Sequence, residues 1–204
     1  MLNKEIDKYW KNEWEVEKQR KSSLKYLTIQ ENPTRNTHTI LKTAKLNPRS
    51  VAKTLVKVEI LTGNNTLQAN RQKYNQHEVS PICKLCNLEP KDREHFIRRF
   101  PILETKRKFY LHQLFELLRE HSIEQLLNTA REEQEKLMLC IMDCTNYIFN
   151  LDVKKELDLI SEIEEITRNL TFDLHNCRAV ANPTFFLFEE ITDFNAVTTT
   201  TTCD

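Results

Sequence analysis

Residues 83–100 read Cys-Lys-Leu-Cys-Asn-Leu-Glu-Pro-Lys-Asp-Arg-Glu-His-Phe-Ile-Arg-Arg-Phe. Cys83 and Cys86 stand at the Cys-x-x-Cys spacing that lets two thiolates grip one zinc ion from a tight turn, and His95 follows where a third donor fits. Structural zinc sites use four protein ligands. Where a fourth Cys would close the tetrahedron, the chain carries Phe100. The stretch therefore reads as a zinc loop with a weakened site, or as two thiols in a turn that hold no metal.

The rest of the sequence favours helices around this loop. A single glycine, Gly63, occurs among 204 residues, against a usual share of about 7%. Tight hairpins and phosphate-cradling loops need glycine where φ is positive, so sheet-rich and nucleotide-fingerprint architectures are disfavoured. Ile6, Trp10 and Trp14 recur every four residues on a charged helix. Asn47, Pro48 and Gly63 mark the cap, first turn and left-handed end of a second helix. Its buried stripe reads as Val51, Leu55, Val58 and Leu61, with Lys53 and Lys57 on a face open to solvent or phosphate. A shorter helix is expected over residues 67–74. Asp92 can cap a short helix carrying His95, and Pro101 opens a longer one to His121, with Leu103, Tyr110, Leu114 and Leu117 inward. Leu137, Ile141, Cys144, Ile148 and Leu151 form a helix-on-helix seam, and a last amphipathic helix is expected from Val153 to Leu170.

The expected fold class is mostly α: a small helical, zinc-binding-like module with a Cys-x-x-Cys loop, plus a C-terminal helical hairpin. The expected divisions are an N-terminal amphipathic helix over 1–28, the module over 29–120, an acidic hairpin over 121–178 and a disordered tail over 179–204. Charge follows the same line. Residues 1–110 carry 23 Lys and Arg against 12 Asp and Glu, and residues 111–204 carry 7 against 18. A basic half beside an acidic one suggests an anionic partner for the first, or two faces that simply attract each other.

Around the loop lie Lys91, Arg93, Arg98, Arg99, Lys106, Arg107 and Lys108, with Arg71 and Lys73 upstream and Phe96, Phe109 and Tyr74 interleaved. Such cations can neutralise phosphates, and exposed aromatics can stack on unpaired bases. RNA or DNA is the expected partner of the cations. The aromatics read rather as core. Six cysteines without an apolar N-terminal signal, and the lack of any run long enough to span a membrane, point to reduced thiols, an intracellular location and no membrane partner. Cys140 and Cys144, one turn apart among Met and Ile, read as small buried residues.

Residues 61–75, Leu-Thr-Gly-Asn-Asn-Thr-Leu-Gln-Ala-Asn-Arg-Gln-Lys-Tyr-Asn, followed by Cys-Lys-Leu-Cys and Arg-Glu-His-Phe-Ile…Phe-Pro, resemble the zinc-binding region near the C-terminus of non-LTR retrotransposon reverse transcriptases. The likeness covers roughly residues 50–112. It implies that Cys83, Cys86 and His95 are three of the family's zinc ligands, with Phe100 in the fourth place. Apart from the resemblance, His77 and Glu94 stand near enough in sequence to be candidate substitutes for the fourth ligand. The resemblance also implies non-catalytic contact with RNA or DNA. The polymerase's Asp-Asp motif is absent from this sequence, so no enzyme activity is expected. The alternatives are a helical protein–protein module, self-associating through its C-terminal helices, and a transposon relic without function.

Overall fold

The structure, a computed structural model, describes residues 2–28, 37–64, 67, 69, 72, 80–121, 134–145, 148 and 156–180. The expected helix over 67–74 and the tail beyond residue 180 lie largely or wholly outside these. The described residues are mostly helical and contain no strand. The helices are α1 (Leu2–Arg20), the single turn α2 (Thr39–Lys42), α3 (Pro48–Thr62), α4 (Glu104–Glu120), α5 (Gln134–Met142) and α6 (Glu156–Val180).

Helix α1 stops before Tyr26. Lys21 is extended, and the 3-10 turn Ser22–Leu24 delivers Tyr26 into the core. Ile6, Trp10 and Trp14 do form a stripe, but it stays open: each is about 40% exposed or more. The main neighbour of α1 is that 3-10 turn.

All three expected signals fix α3. The Asn47 side chain accepts the Ser50 amide at 2.9 Å, Pro48 opens the first turn, and Gly63 ends the helix at φ 72°. A Cβ on Gly63 would meet Ser23 Cβ at 3.0 Å, so both the turn and the close approach require glycine.

The buried face of α3 is the expected one only in part: Leu61 is buried and Val58 packs against the core, but the rest of the stripe is turned. Thr54, Lys57, Ile60 and Leu61 point inward, while Val51 and Leu55 are exposed. The reason is polar. Lys57 is fully buried and donates to both carboxylate oxygens of Glu164 at 2.8 Å and to Thr167 Oγ1 at 2.7 Å. A buried ammonium is tolerable only with such partners. Lys57 is therefore not available to solvent or phosphate.

Helix α6 is described from Glu156, the expected start at Val153 lying outside the described residues, and it runs ten residues beyond Leu170, because Leu174 continues the inward face of Ile163, Thr167 and Leu170. It packs against both α3 and α4 and more lightly against α5. Its apolar residues share one core cluster with Cys83, Phe96, Phe100 and Leu114. The connection expected between Leu151 and Val153 lies outside the described residues.

Candidate metal centre

The loop that carries the two cysteines is closed by backbone pairing. Ile82 and Pro90 form an isolated antiparallel bridge; the Cys83 amide donates to the Glu89 carbonyl at 2.9 Å, and the Lys91 amide to the Pro81 carbonyl at 2.8 Å. Inside it the Asn87 amide reaches the Cys83 carbonyl at 2.7 Å, and Asn87 takes φ 55°, which Asn tolerates better than most residues. This tight knuckle turns Cys83 and Cys86 to one side.

His95 arrives from the next element. Asp92 caps it as expected, its Oδ1 accepting the His95 amide at 2.7 Å. The turn His95–Arg99 is widened to π geometry, ending with the Phe100 amide on the His95 carbonyl at 2.8 Å. Single π turns recur at functional sites.

The donor atoms of Cys83, Cys86 and His95 all lie within 4.8 Å of one another. Cys86 Sγ is 3.5 Å from His95 Nε2. Tetrahedral zinc bonds of about 2.3 Å to sulfur and 2.0–2.1 Å to nitrogen set donor separations of roughly 3.5–3.8 Å, so little movement is needed to hold an ion. Cys83 and His95 are buried and Cys86 half-buried. Burial acts to raise the Cys86 thiol, but the Leu88 amide, the Cys83 thiol and the Glu89 amide outweigh it and favour the thiolate. A metal is therefore possible at this cluster.

Behind His95 stands Glu89, which the sequence reading passed over. Its Oε1 is 2.9 Å from His95 Nδ1, off the line of a hydrogen bond, and its Oε2 is 3.0 Å from Arg99 Nε. A carboxylate behind a ligating imidazole fixes its tautomer and basicity. The only signal was its place between the Cys pair and the His.

An aromatic ring stands beside His95. Phe100 is fully buried, its ring centroid 5.4 Å from that of His95. Glu94 is not a substitute: its Oε1 accepts the Tyr26 hydroxyl and lies 3.6 Å from Lys25 Nζ. The Tyr26 bond lowers the Glu94 carboxyl against the opposing effect of burial. His77 lies outside the described residues.

The predicted basic cluster separates into two kinds. Arg93 donates to the carbonyls of Leu61 at 2.6 Å, Ser23 at 2.9 Å and Ser22, and it faces the Tyr26 ring at 5.1 Å. It thereby closes the C-terminus of α3. Buried Arg107 does the same for the π turn, donating to the Ile97 carbonyl at 2.7 Å and the Phe100 carbonyl at 2.8 Å. Helix-end carbonyls have no partner within their own helix, which is why both arginines are drawn in. Lys91 is buried with Nζ 5.6 Å from the Phe100 ring centroid. Arg98 is half-buried, and Arg99, Lys106 and Lys108 reach the surface or near it. Arg71 and Lys73 lie outside the described residues. Phe96 is core as expected, but Phe109 is 57% exposed, edge-on to Tyr110.

Cys140 and Cys144 are fully buried, and burial pushes the Cys140 thiol up to about 12 and Cys144 well above its usual value. They are small core residues. His175 and Cys177 sit on α6. No helix among the described residues is long and apolar enough to cross a membrane.

No protein-family model matches the sequence, and neither the curated proteins nor the solved structures offer a match.

Proposed function

We propose that Cys83, Cys86 and His95 hold a zinc ion in a structural role, and that the helical body around it is a non-catalytic nucleic-acid contact module. The convergence of three donors from two separate turns within 4.8 Å carries this reading. Two thiolates and an imidazole are zinc's preferred donors, and the burial of Cys83 and His95 suits a site that organises a fold. A water completes the tetrahedron in place of the missing Cys. Three protein ligands and a water also describe catalytic zinc. Against that stands the occupation of both nearby carboxylates, Glu94 by Tyr26 and Lys25 and Glu89 by Arg99 beside His95, which leaves neither to act as a base.

The nucleic-acid part rests on the resemblance to the reverse-transcriptase zinc-binding region and on a reduced surface set. With Arg93 and Arg107 committed to carbonyls, the contact set narrows to Arg98, Arg99, Lys106 and Lys108. Phe109 stands exposed beside Lys108 and one helical turn from Lys106, an arrangement in which a base can stack while its phosphates meet the lysines. Fluorescence anisotropy of a labelled single strand across salt tests this. Affinity should fall steeply with salt, Phe109→Ala should cost about 1–3 kcal/mol, and each lysine removed should flatten the salt slope by about one. A flat slope for the wild type would contradict it.

One observation favours a second reading. Ile6, Tyr9, Trp10 and Trp14 are exposed on α1, so a protein–protein or self-association role belongs to α1, since α6 spends its apolar face within the chain. A salt-insensitive dimer without nucleic-acid affinity in size exclusion with light scattering would favour it.

A further inference from the structure

Away from the cysteine loop, an open cavity of about 200 Å³ lies between the segment joining α2 to α3 and the middle of α6. Four cations line it, Lys45, Arg49, Lys53 and Arg168, against the one carboxylate of Glu165. Every lining residue is polar.

The cations are held in different ways. Arg168, only 4% exposed, is fixed by the Thr43 carbonyl at 3.2 Å, Thr43 Oγ1 at 2.9 Å and, through Nε, the Glu164 carbonyl at 2.9 Å. Lys53 donates to a neutral partner, Asn169 Oδ1, at 2.6 Å. Lys45 pairs with Glu165 at 2.8 Å. Arg49 makes no hydrogen bond or ion pair with a described side chain and stands exposed at the rim. Burial and then the Arg49 charge lower the Lys53 pKa, against the opposing charges of Asp173 and Glu165. The first turn of the 15-residue helix α3 borders the same space through Asn47 and Ser50, adding its positive end.

Like charges gathered round a concave space repel one another and raise the local concentration of anions. A guanidinium with ammonium groups matches the oxygens of phosphate. With no aromatic or aliphatic side chain among the described lining residues to receive a base, the lining disfavours a free nucleotide and favours a phosphate presented by a continuous strand. We propose that this cavity is a subsite for a backbone phosphate of a single-stranded nucleic acid. The inference rests on the nucleic-acid reading above and extends it to a second face of the molecule.

The test uses the full chain with two probes, inorganic phosphate followed by amide chemical shifts, and a labelled single-stranded oligonucleotide followed by anisotropy. Phosphate should shift amides at residues 43–53 and 165–169. The double variant Arg49→Ala/Lys53→Gln should abolish those shifts, weaken oligonucleotide binding roughly tenfold and flatten the salt slope by about one. Because a loss can come from misfolding, Glu165→Gln is the complementary variant: removing the lone lining carboxylate should tighten both probes. Oligonucleotide binding that neither variant changes, with no phosphate shifts in the cavity, would overturn the subsite and leave the nucleic-acid reading standing. Phosphate shifts without oligonucleotide affinity would overturn both, as would no response to either probe.

Discussion

Lys57 on α3 and Glu164 on α6 form a fully buried ion pair across 107 residues of sequence, with the ammonium 2.8 Å from both carboxylate oxygens. It pins the two helices that share the core's longest face. Lys57→Met should destabilise the protein by about 3–5 kcal/mol, because Glu164 would be left buried with Arg168, at 3.9 Å, as its remaining ion-pair partner among the described residues. Lys57→Met/Glu164→Leu should lose clearly less than the sum of the single changes. Urea unfolding of the four proteins in a double-mutant cycle reads the coupling; additivity would contradict the pairing.

A second buried pair makes stability depend on pH. His38 Nε2 lies 3.2 Å from Asp143 Oδ2, which also accepts the Thr28 amide at 2.7 Å. Burial opposes charge on both groups, yet the mutual hydrogen bond wins, raising His38 above 6.5 and lowering Asp143 from 3.8 to about 2. The His38 contribution is complete below pH 6.5 and is lost as pH rises through its raised folded value. The Asp143 contribution is present above pH 3.8 and is lost as pH falls toward 2. The pair thus stabilises most between these limits. The Tm difference between wild type and His38→Gln should shrink from about pH 6 to pH 8. A difference constant over that range would contradict the assignment.

Phe100 is a buried ring packed beside His95, with ring centroids 5.4 Å apart, at the sequence position where a fourth Cys ligand is expected. Phe100→Cys should lower the stability of the metal-free protein by about 3 kcal/mol, since a buried ring is lost. The same change should raise zinc affinity by about tenfold or more and restore stability when zinc is added. Unaltered affinity, measured by competition with a chelator, would mean that position 100 does not face the ion.

How much of this was legible beforehand follows from where each signal resides. The α3 boundaries were readable because Asn47, Pro48 and Gly63 act on their own helix. The Asp92 cap and the Cys83, Cys86 and His95 set were readable for the same reason, since their spacing is local. What failed depended on distant partners. Lys57 reads as exposed until Glu164 is placed opposite it, and that one fact turns the buried face of α3 away from Val51 and Leu55. Arg93 and Arg107 read as phosphate ligands because no pattern reveals that the carbonyls of Leu61, Ile97 and Phe100 will need donors. Phe109 reads as core, yet α4 turns Leu114 and Leu117 inward and leaves it at the surface.

The central claim is that Cys83, Cys86 and His95 bind zinc together, and isothermal titration of the reduced protein with zinc tests it most directly. The account predicts one ion per chain, bound tighter than micromolar, with binding lost in Cys86→Ser and the circular dichroism of that variant still helical. No binding at micromolar concentration, or binding that Cys86→Ser leaves unchanged, would contradict it.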